Sequence, residues 1–335
     1  MSDIRLSICI PTYNYGEFIG QTLDSILPQV TSETEVVILD GGSNDDTAEK
    51  VAARQHPQLS YHYQDFRGGI DRDIEKVISF AKGDYCWLFS ADDIMLPGAI
   101  AKVLEAIKSS CDIYLCEHDL CNLEMESIGK YPAPLNLGQP KLFNLGDTDQ
   151  KKEYFRLAVT SEAFFSFLAG LIFKKSVWDS ADIPDSFRST CWIVAGRLLS
   201  MIPSGITIQY MGEALLSKRE GNDSFSNGSM INRNRITIEA FQHIAHTLFG
   251  VNSDEAFHIR RVLQHDLPFR ALLVSKLRAY EHPDIEDINT LNRIVRMHYT
   301  DPILSNRVKC LTYHVAHPIL IRAAFKFKQW LRTSS

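Results

Sequence analysis

Nowhere among the 335 residues do about 18 apolar residues run uninterrupted, and the opening MSDIRLSICIP has no apolar stretch behind a basic start. Neither a spanning helix nor a secretory signal is indicated, so the expected compartment is the cytoplasm. Internal repeats and low-complexity tracts are also missing, which argues against a solenoid or a disordered chain. The seven cysteines are odd in number and lie in apolar contexts such as Cys9 and Cys86, unlike a disulfide framework. Cys111, Cys116 and Cys121 recur every five residues around His118 but lack the C-x-x-C knuckle of a structural zinc site. No basic stripe with interleaved aromatics runs through the acidic body, which disfavours nucleic acid as a partner.

What is present is ample material for a core, with 45% hydrophobic residues, and an uneven distribution of charge. The formal net charge is −6, yet from Pro302 onward there are six basic residues (Arg307, Lys309, Arg322, Lys326, Lys328, Arg332) and no Asp or Glu, leaving the preceding chain at −12. In this cationic tail Ile321, Ala324, Phe325 and Lys328 fall at helical spacing near Trp330, as in an interfacial helix on an anionic membrane. A solvated helix packed on its own domain has the same pattern.

The first ~120 residues alternate between strand-like and helix-like segments, the pattern of an α/β sheet with crossovers. Strands are expected at Leu6–Ile10, Glu35–Leu39, Leu59–Tyr63, Tyr85–Phe89 and Asp112–Cys116. Helices are expected at Glu17–Leu27, Thr47–Gln55, Asp73–Lys82 and Gly98–Ser109. Residues Lys130–Asp149 read as a surface loop, Ile206–Tyr210 as a late strand, and the chain from about Met230 as helical. A domain of residues 1–226 followed by a helical region of 227–335 is expected.

Three segments place chemistry at strand ends, where open α/β sheets bind ligands. In SICIPTYN, Pro11 is read as ending a strand, with Thr12 and Tyr13 turning into a helix whose N-terminus favours an anion. In EVVILDGGSNDDT, Asp40 ends a strand, and Gly42 with its neighbour lets the backbone approach a ligand. In KGDYCWLFSADDIMLP a buried strand runs through Ser90 and Ala91 into adjacent carboxylates, Asp92 and Asp93. Such a pair suits a divalent cation carrying a diphosphate.

Taken in order, these segments resemble the family 2 glycosyltransferases of GT-A fold over roughly Leu6 to Ser226. Within that family, GGIDRDIEKVISFAKGDYCWLFSADD looks most like bacterial O-antigen enzymes similar to abequosyltransferases. The resemblance implies a Rossmann-like α/β fold, a mostly parallel sheet with helices on both faces, followed by a helical C-terminal region. It implies transfer of a sugar from a nucleotide-diphosphate donor, such as a CDP-dideoxyhexose, to a glycan or lipid-linked oligosaccharide, on the inner face of the bacterial cytoplasmic membrane. Carried over residue by residue, Asp40 would contact the nucleoside base and Asp71–Arg72 would lie beside base or ribose. Asp92 would hold Mg²⁺ or Mn²⁺ on the diphosphate, with Asp93 as second ligand. Arg219, in SKREGNDSF, would reach the diphosphate from a mobile loop.

The chain departs from the family pattern twice. Ser90 stands where the first carboxylate of the D-x-D region often is, shifting the metal role onto Asp92. In STCWIVAGRLL, Thr190 and Cys191 occupy the positions of the Glu-Asp pair that supplies a general base in inverting members. Either another carboxylate serves, with Glu162, Glu117 and Asp119 as candidates, or configuration is retained. Trp192 sits where an acceptor sugar would pack. A non-catalytic nucleotide-sugar-binding scaffold and a nucleotidyltransferase are the alternative readings; the latter would open with a Gly-rich, Arg-bearing loop near residue 10, where this chain has Pro-Thr-Tyr-Asn.

Overall fold

Leu6–Thr12 carries no charge, which suits a strand covered on both faces, and all seven of its residues are buried. In the computed structural model, which describes residues 4–222 and 229–323, this segment is β1. It pairs in parallel with β2 (Thr34–Asp40), which pairs with β3 (Leu59–Tyr63), and on its other side with β4 (Tyr85–Leu88). Helices α1 (Gly16–Ile26), α2 (Thr47–Ala52) and α3 (Ile70–Phe80) connect these strands. The period-2 alternation sends Leu6, Ile8, Ile10, Val36 and Ile38 to one face, where they pack with Ile19, Leu23 and Ile26 of α1 and Val51 of α2. Helix α3 lies against β1 and β2 and buries Ile74, Val77 and Ile78.

Beyond β4 the sheet becomes mixed. The short β5 (Ile94–Met95) and the helix α4 (Ala99–Ala106) precede the long β6 (Ile113–Cys121). After β7 (Ser127–Lys130), β8 (Lys141–Asn144) and α5 (Thr148–Leu157), β9 (Leu171–Lys174) inserts antiparallel between β4 and β6. Helices α6 (Lys175–Ser180) and α7 (Ile193–Ser200) lead to β10 (Thr207–Arg219), which lies parallel to β6 and takes β5 and β8 antiparallel. The order is β3-β2-β1-β4-β9-β6-β10-β5, with β7 on β6 and β8 on β10. The expected α/β class is therefore present, but its parallel character is confined to the first four strands and the β6–β10 pair.

Several local expectations shift for physical reasons. Pro11 does not end β1; it pairs in register with Leu39, and its missing N–H falls past Leu88, where β4 has ended. Helix α3 begins three residues before the expected Asp73, directly after Gly69, whose φ of 87° only glycine adopts without strain. The expected loop at 130–149 contains β8, four residues in which Phe143 alone is buried, too short for its alternation to stand out in sequence.

The chain divides into two compact units, Met1–Asn222 and Asp223–Ser335. The second contains α8 (Met230–Phe249), α9 (Asp254–Asp266), α10 (Phe269–Glu281), α11 (Ile288–His298) and α12 (Leu304–Val315). Its core gathers Ile231, Ile238, Leu272, Leu291, Ile294, Val295 and Tyr313. The buried Glu286 carboxylate accepts from the Met230 and Ile231 amides and the Ser229 hydroxyl, capping α8. The tail residues Ala324, Phe325, Lys328 and Trp330 lie outside the described residues.

At the far end of the first unit, the buried Glu35 Oε1 accepts from Ser7 Oγ (2.7 Å) and from the Lys82 amide (2.6 Å), while the Gly83 amide donates to Ser7 Oγ (2.9 Å). Glu35→Ala leaves the hydroxyl and the Lys82 amide without an acceptor and is expected to cost about 2–4 kcal/mol. Urea denaturation measures it; a loss below about 0.5 kcal/mol would mean that water replaces the carboxylate.

Candidate functional site

The carboxylate pair sits on a turn braced from three sides. Thr22 Oγ1 of α1 donates to the Ala91 carbonyl (3.0 Å), the Met95 amide donates to Ser25 Oγ (3.0 Å), and Gln29 Nε2 donates to the Leu96 carbonyl (3.1 Å). Across the turn, β5 pairs with Leu216 and Ser217 of β10. Asp93 points inward, only 2% exposed, and its Oδ1 accepts from the Arg219 amide at 3.0 Å. Asp92 is half-buried and faces outward; its Oδ2 accepts from Asn222 Nδ2 at 2.9 Å.

Burial raises both carboxyls. Asp93 is pushed up to about 8 by desolvation and by the Asp92 charge, against the Arg219 amide, Lys218 and the Ser90 side chain. Asp92 is raised by desolvation, against Asn222 and the charges of Arg219 and Lys218. A divalent cation at this turn would stabilise both ionised forms. No group of three or more His, Cys, Asp or Glu side chains gathers among the described residues. A cation at this turn would be held by Asp92, backed by Asp93, with the rest of its coordination from ligand oxygens and water. That donor set fits Mg²⁺ or Mn²⁺ on a diphosphate.

Arg219 does not lie on a mobile loop. It is the last residue of β10, buried, with Nε on the Asp92 carbonyl (2.9 Å), Nη2 on Gln21 Oε1 (2.7 Å), Nη1 on the Leu123 carbonyl, and its guanidinium over the Phe18 ring. Its donors brace the turn rather than reach for a phosphate. The neighbouring Lys218 lies on the opposite face of the strand by simple alternation. Its ammonium stands 5.9 Å and 5.8 Å from the Tyr131 and Phe167 ring centroids, and its charge favours ionised Asp92 and Asp93. Sequence reasoning missed Lys218; the period-2 alternation of SKR would have separated the two cations once the segment was read as strand.

On the neighbouring strand ends, Thr12 Oγ1 is buried and has no hydrogen-bond partner among the described residues. Asp40 ends β2 as expected but is fully buried, with Oδ1 on the Ser43 amide (2.7 Å) and Oδ2 accepting from the Tyr61 hydroxyl (2.7 Å). Its carboxylate holds the Gly41–Gly42 turn rather than facing a ligand. Gly42 has φ 85°, and a Cβ there would stand 3.2 Å from the Gln64 carbonyl. The α1 N-terminus is not open to an anion, because the Gly16 amide donates to Asp45 Oδ2 at 2.9 Å. Tyr13 instead carries the Arg67 guanidinium 4.4 Å above its ring, and Tyr63 and Phe66 nearby in sequence are exposed.

Asp71 does not lie free beside a base or ribose. Its carboxylate accepts from the Cys191 amide (2.9 Å) and the Ile193 amide (3.1 Å), capping α7 from a segment 120 residues away. Burial raises its pKa against those amides. Cys191 has φ 66°, a strained left-handed conformation for a side-chain-bearing residue, so the Thr190–Cys191 turn is backbone held in place by Asp71. Arg72 is exposed, and Trp192 is half-buried at the start of α7.

Of the candidate bases, Glu117 accepts from the Tyr210 hydroxyl, and Asp119 pairs in register with Ser217. Glu162 Oε1 lies 2.9 Å from Nε2 of the buried His118. The imidazole stacks on Tyr131 at 4.8 Å and packs on Phe167 at 4.5 Å, and its Nδ1 has no hydrogen-bond partner among the described residues. Glu162, His118 and the Lys218 ammonium thus meet around the same two aromatic rings. His118 drew notice in the sequence only beside cysteines; nothing local signals a partner 44 residues on.

The sign of the Asp93 shift predicts a pH dependence. Its raised value means that the cation-free folded state binds a proton the unfolded state has released, so stability falls as pH rises from about 4 to about 8. Asp93→Asn is expected to flatten that decline, and Mn²⁺ to offset it in the parent protein. Thermal melts across this range measure both; an equally steep decline in the variant would place the titration elsewhere.

Residues 7–172 match the model of the family described as "Glycosyl transferase family 2". The chain is 27% identical over 270 residues, 79% of its length and 81% of the relative's, to abequosyltransferase RfbV of Salmonella typhimurium. Its fold is similar to that of S. aureus TarS 1-349 in complex with UDP-GlcNAc, with a TM-score of 0.63, 16% identity, and coverage of 96% of this chain and 92% of that one. A mannosyltransferase from Pyrobaculum calidifontis, in complex with GDP-Man and Mn²⁺, has a TM-score of 0.53 at 14% identity, covering 95% and 86%. With the strand-end carboxylate turn, these findings establish that the chain carries a family 2 glycosyltransferase domain on a GT-A fold and is a glycosyltransferase.

Proposed function

We propose that this glycosyltransferase moves a hexosyl or deoxyhexosyl unit, a dideoxyhexose such as abequose being the leading candidate, from a nucleotide-diphosphate donor to a glycan hydroxyl in bacterial O-antigen-type surface polysaccharide. The carrying observation is the Asp92–Asp93 turn at the end of β4, held by hydrogen bonds to α1 and β10 and outward-facing at Asp92. The similarity to an abequosyltransferase over most of both chains supports the sugar class. A CDP-linked donor, a lipid-linked acceptor and a place on the inner face of the cytoplasmic membrane belong to this reading.

In it, Asp92 would hold Mg²⁺ or Mn²⁺, and the ion would supply positive charge to offset the charge of a departing nucleoside diphosphate. Asp93 stays behind it and sets the turn. The base stacks near Tyr13, Arg67 and Phe66, while the Asp40-held turn presents backbone and Thr12 offers its hydroxyl to the nucleotide. On the acceptor side the Thr190–Cys191 turn has no carboxylate, and the Glu162–His118 pair takes its place. His118, hydrogen-bonded through Nε2, orients Glu162. The carboxylate accepts the acceptor hydroxyl proton as that oxygen bonds to the anomeric carbon and the bond to the diphosphate breaks.

A melting screen of CDP-, UDP-, GDP- and dTDP-ligands with Mn²⁺ tests the donor half, since a ligand at 100 times its Kd adds about 2.7 kcal/mol. One nucleotide should raise Tm in the parent protein and lose most of that metal-dependent shift in Asp92→Asn. Equal shifts in both would remove Asp92 from the cation. For the acceptor half, Glu162→Gln is expected to lower kcat about 10²–10⁴-fold with donor KM little changed. An unaltered kcat would assign the base elsewhere or point to retention of configuration.

A further inference from the structure

Helix α12 turns an apolar stripe outward. Leu304, Val308, Leu311 and Val315 recur at helical spacing and are 77%, 54%, 66% and 69% exposed, while Asn306 and Tyr313 on the opposite side are buried. Past the end of α12, Ile319 and Leu320 continue the exposed apolar run at 71% and 65%. Soluble surfaces scatter such residues singly; here six fall within 17 positions, four of them on one face of α12.

Charge identifies what the stripe faces. From Pro302 onward the chain holds six Lys and Arg and no carboxylate side chain, and residues 223–335 carry fifteen basic against ten acidic side chains within a protein of net −6. Arg307 is exposed beside the stripe, and Glu281, a nearby acid in this unit, is ion-paired with Arg322. An apolar strip with Arg307 exposed beside it, on a stretch of chain that holds no acid from Pro302 onward, matches an anionic bilayer, whose headgroups take cations and whose acyl boundary takes the side chains. We propose that α12 is a membrane-docking element that lies in the plane of an anionic lipid surface, seated by Leu304, Val308, Leu311 and Val315. This deepens the membrane placement in the preceding reading, from the cationic tail to a described helix face. It stands apart from transfer chemistry, because its test needs neither donor nor acceptor.

The test is co-sedimentation of the full chain with phosphatidylglycerol-containing and pure phosphatidylcholine vesicles. Binding is expected to the anionic vesicles only, to weaken as salt is raised, and to fall about tenfold or more in Leu311→Glu/Val315→Glu. These side chains are exposed, so the variant should keep the parent's circular dichroism and Tm. As a second arm, hydrogen exchange across 303–315 should slow on anionic vesicles, and Arg307→Glu should shift binding to lower salt. Undiminished vesicle binding by the folded double variant would overturn the proposal. So would a parent dimer that the same substitutions dissolve, since the stripe would then face a second copy. Loss of vesicle binding with donor melting shifts intact separates failure of docking from failure of the catalytic reading.

Discussion

The hydrogen bond from the Arg219 amide to Asp93 ties the turn after β4 to the end of β10. Asp93 stands at the end of the parallel half, where β4 gives out; Arg219 ends β10, the last strand of the mixed half. The same residue's guanidinium reaches the Asp92 carbonyl and Gln21 of α1, so one arginine ties turn, strand and helix. Keeping a carboxyl buried at that junction costs desolvation free energy, seen in its upward-shifted pKa. The return is an Asp92 whose backbone is held on two sides, as the proposed positioning of a diphosphate would require.

A second long-range tie works the same way on the acceptor side. Asp71, in the first turn of α3, caps α7 and holds the left-handed Cys191. Its carboxylate supports geometry, as do those of Asp40, which holds the turn after β2, and Asp45, which ties that loop to the start of α1. Much of the acid at the strand ends is therefore structural. In the proposed reading Asp92 and Glu162 are the acids assigned to chemistry, one at the surface of the turn and one beside an imidazole whose Nδ1 has no hydrogen-bond partner among the described residues.

The parallel half of the fold was legible because its signals are local. The uncharged run at Leu6–Thr12 and the apolar Val36–Leu39 stretch within Thr34–Asp40 mean strands buried on both faces, and the amphipathic segments between them mean crossovers. The mixed half was less legible, since β5, β8 and β9 are two to four residues long and owe their existence to partners. In the site, the Asp92 turn was readable from its place after a strand. The tasks of Arg219 and Asp71 were not, because a side chain's partner more than 100 residues away leaves no trace in local pattern.

The order of residues alone settled the family-bearing segments, the carboxylate pair after β4, the missing Glu-Asp pair at Thr190–Cys191 and the cationic end of the chain. These are matters of residue type and spacing, and the fold did not need to be known to see them. Only the tertiary structure decided which carboxylate turns outward, that Arg219 braces rather than closes, that His118 meets Glu162, and that α12 leaves its apolar stripe uncovered. Each of these depends on which surfaces the folded chain removes from water. That is a property of contacts between distant segments, and spacing along the chain does not encode it one segment at a time.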